Sequence, residues 1–303
     1  MTALVTVGDN VADIYPSLGY LYPGGNALNV AVAAHRNGVA TAYVGAIGTD
    51  EVGHVVETAL EQEDVRTERL RIVEGQNAYS VIELDDGDRL FTDSGLGVSK
   101  ICLDDADLEY ISGFDCVHTG DCSRTEMQLN ELAAVTRVSF DFSDRPREYC
   151  EPLLDKVWLA CFSGTALGHE GVEDLARYVL QAGPQVVLVT EGPRGAMIAT
   201  TAGKRVHVEA SSTKPLDTLG AGDAVIGSVL AGVLKGEDLD TVMGAAMSFA
   251  AKVCTHHGAF EHGRALDSPG LAGNWPTSIG SGSHGHCHAD EDSSASPTGA
   301  ERL

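Results

Sequence analysis

Lysine is scarce in this chain. There are six among 303 residues, and Lys plus Arg number 20 against 44 Asp plus Glu, for a formal net charge of −24. Neutralising a phosphate backbone needs clustered cations; none are clustered here, which argues against nucleic acid as a partner. The surplus acid is spread along the body, where it favours solubility. No apolar run approaches the roughly 20 residues of a membrane span, so no membrane partner is expected. The opening "MTALVTVGDN" lacks the basic, then apolar pattern of a signal peptide and reads as a first strand, "ALVTVG". The seven cysteines (Cys102, Cys116, Cys122, Cys150, Cys161, Cys254 and Cys287) are odd in number and form no C-x-x-C pair. That pattern fits a reduced, cytoplasmic setting better than a disulfide framework.

What the chain does have is a globular share of hydrophobic residues, 43%, and a regular alternation of short and long apolar segments. Strands are expected at "ALVTVG", "TAYVGAIG", "DCVHTG", "VSFDFS", "KVWLACFS", "QVVLVTEG" and "KRVHVEASS". Helices are expected over 27–37, 52–63, 124–136, 171–182, 223–235 and 238–254. Such alternation describes an α/β fold, a doubly wound, mostly parallel sheet with helices on both faces. One segment breaks the rhythm: "NAYSVIELDDGDRLFTDSG" (77–95) reads as a hairpin turning at "DDGD". It is placed as a small β lid over the carboxyl ends of the strands, where such sheets bind ligands. The expected domain is 1–262, with 263–303 a disordered acidic tail rich in Gly, Ser and Asp. In that tail "HGHCH" offers His284, His286, Cys287 and His288 to a transition metal, but the spacing matches no structural zinc pattern.

Four stretches at expected strand ends carry chemistry. "DTLGAGDAVIG" (217–227) puts Gly220, Ala221 and Gly222 where a helix begins, with Asp223 in its first turn. Backbone N–H groups there lack helical partners and face the positive end of the dipole, which suits an anion. "GGNALNVAVAAHRNG" (24–38) opens a second helix with Asn26 and Asn29. "GDNVADIYP" (8–16) brings Asp9, Asn10 and Asp13, and "TEGPRGA" (190–196) is a glycine turn after a strand. Paired carboxylates and carboxamides suit a polyhydroxylated ligand. Taken singly, each is equally a turn or a capping residue.

In this order the motifs resemble the ribokinase-like (PfkB) carbohydrate kinases over residues 1 to about 260. "GGNALNVAVAAHRNG" and "DTLGAGDAVIG", about 190 residues apart, look like that family's two signatures. The stretches "GDNVADIYP", "GGNALNVAV", "FDFSD" (140–144) and "HHGAF" (256–260) carry a narrower resemblance to its bacterial fructoselysine 6-kinases. The resemblance implies Asp223 as catalytic base, with Gly220, Ala221 and Gly222 as its anion hole. It implies Asp13, Gly25, Asn26 and Asn29 as sugar contacts, and Thr190, Gly192 and Gly195 along the nucleotide. Asp217 matches a position that in some members helps hold a monovalent cation, potassium. The implied cofactors are ATP and magnesium, the implied partner a small-molecule sugar or fructosamine phosphorylated on a primary hydroxyl, and the implied assembly a homodimer through the lid.

The chain departs from the family where an Asn-x-x-Glu motif organises magnesium and phosphate. "LACFSGTALGHEG" (159–171) has Ser163 near the Asn position and Glu170 too far along. Ser228 also stands where the second signature prefers a smaller residue. A kinase for fructose, ribose or a nucleoside, and an inactive sugar or nucleotide sensor, remain as alternatives. A dinucleotide oxidoreductase is disfavoured, since "GDNVAD" stands where G-x-G-x-x-G would follow the first strand.

Overall fold

A computed structural model of the chain describes residues 2–85 and 88–272. The N-terminal part runs β1 (Ala3–Val7), β2 (Val11–Tyr15), β3 (Tyr20–Gly24), α1 (Asn26–Arg36), β4 (Ala40–Val44), β5 (Ala46–Gly48) and α2 (Glu51–Gln62). There follow β6 (Arg71–Val73), β7 (Tyr79–Asp85), β8 (Asp88–Gly95), α3 (Asp105–Ile111), β9 (Cys116–Gly120), α4 (Leu129–Val135) and β10 (Arg137–Asp141). A single turn, α5 (Arg147–Cys150), leads to β11 (Leu159–Ser163), α6 (His169–Ala182), β12 (Val186–Thr190), β13 (Ala196–Thr200) and β14 (Arg205–Val208). The last elements are α7 (Ala221–Leu234), α8 (Leu239–Val253) and β15 (Arg264–Ala265).

Eight strands form the main sheet in the order β14-β13-β12-β11-β10-β9-β1-β4. From β12 to β4 neighbours are parallel; β13 and β14 are antiparallel additions. Successive side chains leave a strand on opposite faces, and here both faces are covered. Val5, Val7, Phe162 and Val189 join a core layer with residues of α3, α4 and α6. Leu4, Leu159, Cys161 and Leu188 join the opposite layer under α1, α7 and α8. Full burial of each such side chain contributes roughly 1.5–3 kcal/mol. A one-residue slip would exchange the two faces, so the pattern fixes the register. The strand expected at "TAYVGAIG" is divided at Gly45 into β4 and β5, the latter pairing with β6.

The lid is larger than a hairpin. β7 and β8 pair antiparallel as expected, but they belong to a five-stranded sheet, β15-β3-β2-β7-β8. "GDNVADIYP" is therefore not a polar loop: its second half is β2, which pairs with β3 and β7. Ala12, Ile14, Leu21 and Val81 pack this sheet on Val52 of α2 and on Leu271. The folded body also runs past residue 262, because β15 pairs with β3 and Leu271 is 1% exposed. Two residues of the "DDGD" turn, and the tail motif with His284, His286, Cys287 and His288, lie outside the described residues. Among the described residues no helix is long and apolar enough to cross a membrane, and no disulfide joins the cysteines.

Candidate active site

The site begins with two glycines that bring backbones close. Gly25, the N-cap of α1, has φ 107 and offers no side chain to the helix's first N–H groups. Asp9, just beyond β1, caps α1 from outside. Its Oδ2 accepts from Asn26 N at 2.7 Å and its Oδ1 from Ala27 N at 3.3 Å. Ser123 Oγ also donates to Asp9 Oδ1, at 2.7 Å. Burial raises the Asp9 pKa above the usual carboxylate range, against these hydrogen bonds. At Gly24 a Cβ would run into Asp13 Oδ2. Asp13, on β2, is 3% exposed, so Gly24 is the room that its carboxylate needs.

α1 and α7 then approach along a glycine. A Cβ on Gly227 would lie 2.6 Å from Ala33 Cβ and 2.9 Å from Val30 O, so only glycine lets the helices pack this closely. Ser228 is explained by the same contact: its Oγ accepts from Asn37 Nδ2 at 3.0 Å, just past the end of α1. At the other end α7 starts from Gly220, in the left-handed region at φ 73, where a Cβ would collide with Ala259. This geometry aligns the first turns of α1 and α7.

Asp223 is thereby held by both asparagines. Asn26 Nδ2 donates to Asp223 Oδ1 at 2.8 Å, and Asn29 Nδ2 donates to Asp223 Oδ2 at 2.7 Å. Asn26 spends its second amide hydrogen on Asp141 Oδ2, also at 2.8 Å. The other end of the amide, Oδ1, meets His118 Nε2 at 3.3 Å, while His118 Nδ1 is 2.9 Å from Ser139 Oγ. Burial lowers the His118 pKa to about 3, so the ring is neutral; because a carboxamide oxygen only accepts, the proton resides on Nε2. Asp141, His118 and Ser123 were not singled out in the sequence, whereas Asp9 was. Asp141 ends β10, while Asp9 and Ser123 follow β1 and β9, and that position at the carboxyl ends of parallel strands was the available signal.

The expected anion hole divides. Ala221 N donates back to Thr218 O at 3.2 Å, so it closes the turn. Gly222 is exposed, with open space where a Cβ would stand. Asp217 ties three segments together: its Oδ2 accepts from Tyr15 Oη at 2.7 Å and Gly258 N at 3.2 Å, and its Oδ1 from Leu219 N at 2.9 Å. His257 Nδ1 is 3.8 Å away. Among the described residues no group of three or more His, Cys, Asp or Glu could hold a metal ion.

Thr190, Gly192 and Gly195 form the turn after β12. Gly164 N donates to Thr190 O at 2.7 Å, and Gly192 and Gly195 have φ 59 and 106. Beside this turn opens a cavity of about 480 Å³ whose lining includes Glu191, Pro193, Arg194, His169, His207 and Glu209. That volume is in the range of small-molecule sites. Glu191, 3% exposed, meets His207 Nε2 at 3.1 Å. Where the Asn-x-x-Glu motif is absent, Arg194 closes the loop, donating to the carbonyls of Gly164, Thr165 and Leu167. Glu170 is exposed in the first turn of α6.

The fold is that of solved ribokinases. The ribokinase of Arabidopsis thaliana, solved with ribose and ATP, superposes with a TM-score of 0.74 at 21% identity, covering 86% of this chain and 95% of that one. The chain belongs to the pfkB family of carbohydrate kinases, whose model matches residues 11–262. It is 37% identical over 267 residues to fructosamine kinase FrlD of Bacillus subtilis, covering 86% of this chain and 93% of the relative. It is 30% identical over 263 residues to the fructoselysine 6-kinase of Escherichia coli, covering 86% and 100%. It is an ATP-dependent sugar kinase of that family.

Proposed function

We propose that this kinase transfers the γ-phosphoryl group of ATP to O6 of fructoselysine or a related fructosamine, with Asp223 as base. The observation that carries the chemistry is the carboxylate of Asp223, fixed by Asn26 and Asn29 in the first turn of α7, beside the open Gly222. The identity of the acceptor is supported by the likeness to fructosamine and fructoselysine kinases. In the step proposed, the sugar O6–H bond breaks and its proton passes to Asp223. O6 bonds to the γ-phosphorus as the bond from that phosphorus to the bridging oxygen breaks, and ADP leaves. Such a transfer relies on positioning and on fixed dipoles where charge accumulates. Gly222 at the helix start would supply those dipoles, with Gly220 and Ala221 shaping the turn. Asp13, Gly25, Asn26 and Asn29 would face the sugar, and Thr190, Gly192 and Gly195 the nucleotide.

Magnesium, which neutralises phosphate charge when bound, fits as a nucleotide complex more than as a caged ion: it is commonly held by one or two carboxylates plus substrate phosphates. A monovalent cation would find its charge partner in Asp217, whose oxygens already accept three hydrogen bonds. The homodimer through the lid is supported by exposed Tyr20, Leu90 and Phe91 on that sheet, at 43%, 47% and 45%. For the fructosamine's ammonium, Asp93 is an exposed lid acid, accepting from Tyr79 Oη at 3.2 Å, and Glu83 is half-buried; the sequence adds Asp85, Asp86 and Asp88 to this segment. A coupled ADP-release screen over fructosamines, ketoses, ribose and nucleosides tests the reading. We expect kcat/KM at least about tenfold higher on a fructosamine, about 1.4 kcal/mol. A better ketose, pentose or nucleoside substrate would remove the fructosamine assignment and leave the kinase standing.

A further inference from the structure

The proton transfer above uses one carboxylate, yet two share the same amide. Asp141 ends β10, and its Oδ2 accepts from the very nitrogen of Asn26 that serves Asp223, so the two oxygens are no more than twice 2.8 Å apart. Its Oδ1 accepts from Ser143 N at 2.9 Å. Gly120, opposite Asp141 in the β9–β10 register, makes the space: a Cβ there would lie 2.8 Å from Asn26 Oδ1 and 3.3 Å from Asp141 Cβ.

Among the described residues, the charged groups that act on Asp141 are other acids. They are Asp223 from α7, Asp121 after β9 and Asp9 after β1, with the buried Cys161 thiol on β11; neutral His118 on β9 meets Asn26 Oδ1. The nearby Arg145 guanidinium is committed to Asp121, at 2.7 Å. Burial first, and the Asp223 charge second, push the Asp141 pKa up to about 8. Two carboxylates this close in a half-buried site do not both ionise readily.

We propose that Asp141 is a positioning residue that works as a neutral carboxylic acid: by keeping its proton it leaves Asp223 the single anionic base, and through Asn26 it fixes that base's orientation. The inference rests on the reading of Asp223 as base. Asp141 keeps its own proton throughout the transfer, so the balance of the chemical step is unchanged. When Asp141 ionises, a second negative charge stands beside the arriving triphosphate, and like charges in a low-dielectric site repel strongly. The activity of the wild-type enzyme therefore falls on the alkaline side of about pH 8.

The test pairs a titration that needs no turnover with a rate profile that does. The first is carbon-13 NMR of aspartate-labelled enzyme without substrate. We expect one side-chain carboxyl with a midpoint near 8, absent in Asp141→Asn. In Asp223→Asn, where the neighbouring charge is gone, the midpoint moves to lower pH by about one unit or more. The second is kcat/KM from pH 6 to 10. Asp141→Asn, whose amide copies the neutral acid, loses the alkaline fall and exceeds Asp141→Ala at every pH. An Asp141 carboxyl already ionised below pH 6 in the wild type, or an alkaline limb preserved in Asp141→Asn, overturns the proposal. Absence of sugar-dependent ADP release from the wild-type enzyme would instead remove the functional reading, and the NMR titration would still decide the state of Asp141.

Discussion

Replacing Asn26 with alanine separates the positioning of Asp223 from its chemistry. The substitution deletes the hydrogen bonds from Nδ2 to Asp223 and Asp141 and the contact with His118. It leaves the cap on α1 intact, because Asp9 accepts from backbone nitrogens. Alanine is also the better helix former, so the helix itself is not weakened. Asp223 keeps its hydrogen bond from Asn29 at 2.7 Å and loses the one from Asn26. A hydrogen bond to a charged group contributes about 1.5–3 kcal/mol. If that contribution is realised in the transition state, turnover falls by about 10- to 100-fold. Coupled ADP release on the best sugar of the screen reads the effect, with circular dichroism melting as the control for folding. Asn29→Ala should give a loss of similar size, and the double variant should depart from additivity because both groups hold one carboxylate. A folded Asn26→Ala enzyme within threefold of wild-type turnover would refute the role given to this amide.

Three further outcomes follow from the same geometry. Gly24→Ala forces a methyl group against Asp13 Oδ2; we expect a loss of about 1–3 kcal/mol of stability, the usual scale of overpacking, and a raised KM for the sugar, read by urea unfolding and initial rates. Tyr15→Phe removes one donor from the buried Asp217 and should destabilise by about 1–3 kcal/mol; a change below about 0.5 kcal/mol would mean that Asp217 does not depend on it. Phe91→Asp on the exposed face of the lid sheet should shift the mass seen in sedimentation velocity from dimer to monomer, and a wild-type monomer would end the proposal of a lid dimer.

The sequence made the helices around the site legible because their punctuation is local. Gly24, Gly25 and Gly220 mark backbone that a side chain would obstruct, and α1 and α7 begin within a residue or two of where the apolar spacing places them. The parallel order was likewise readable from apolar runs that both core layers cover. What escaped depends on tertiary context. β2 buries Asp13 next to Ile14 and Tyr15, and an acid in an inward position disguises a strand as a loop. The short lid strand β15 has only two residues, too few for any period. Asp141 and His118 gain their roles through Asn26, more than 90 residues away along the chain, so no spacing rule connects them. The turn bond from Ala221 N to Thr218 O was likewise beyond the reach of the sequence, which marks Gly220, Ala221 and Gly222 only as a helix start.

The central claim is that Asp223 takes the proton from the sugar hydroxyl. Asp223→Asn keeps the shape of the side chain and removes the acceptor, so the decisive measurement is its kcat beside that of the wild-type enzyme, with ATP affinity measured in parallel. We expect a drop of roughly 10²- to 10⁴-fold, the scale of general-base loss, with ATP binding nearly unchanged. A folded variant that retains more than about a tenth of wild-type turnover would contradict it.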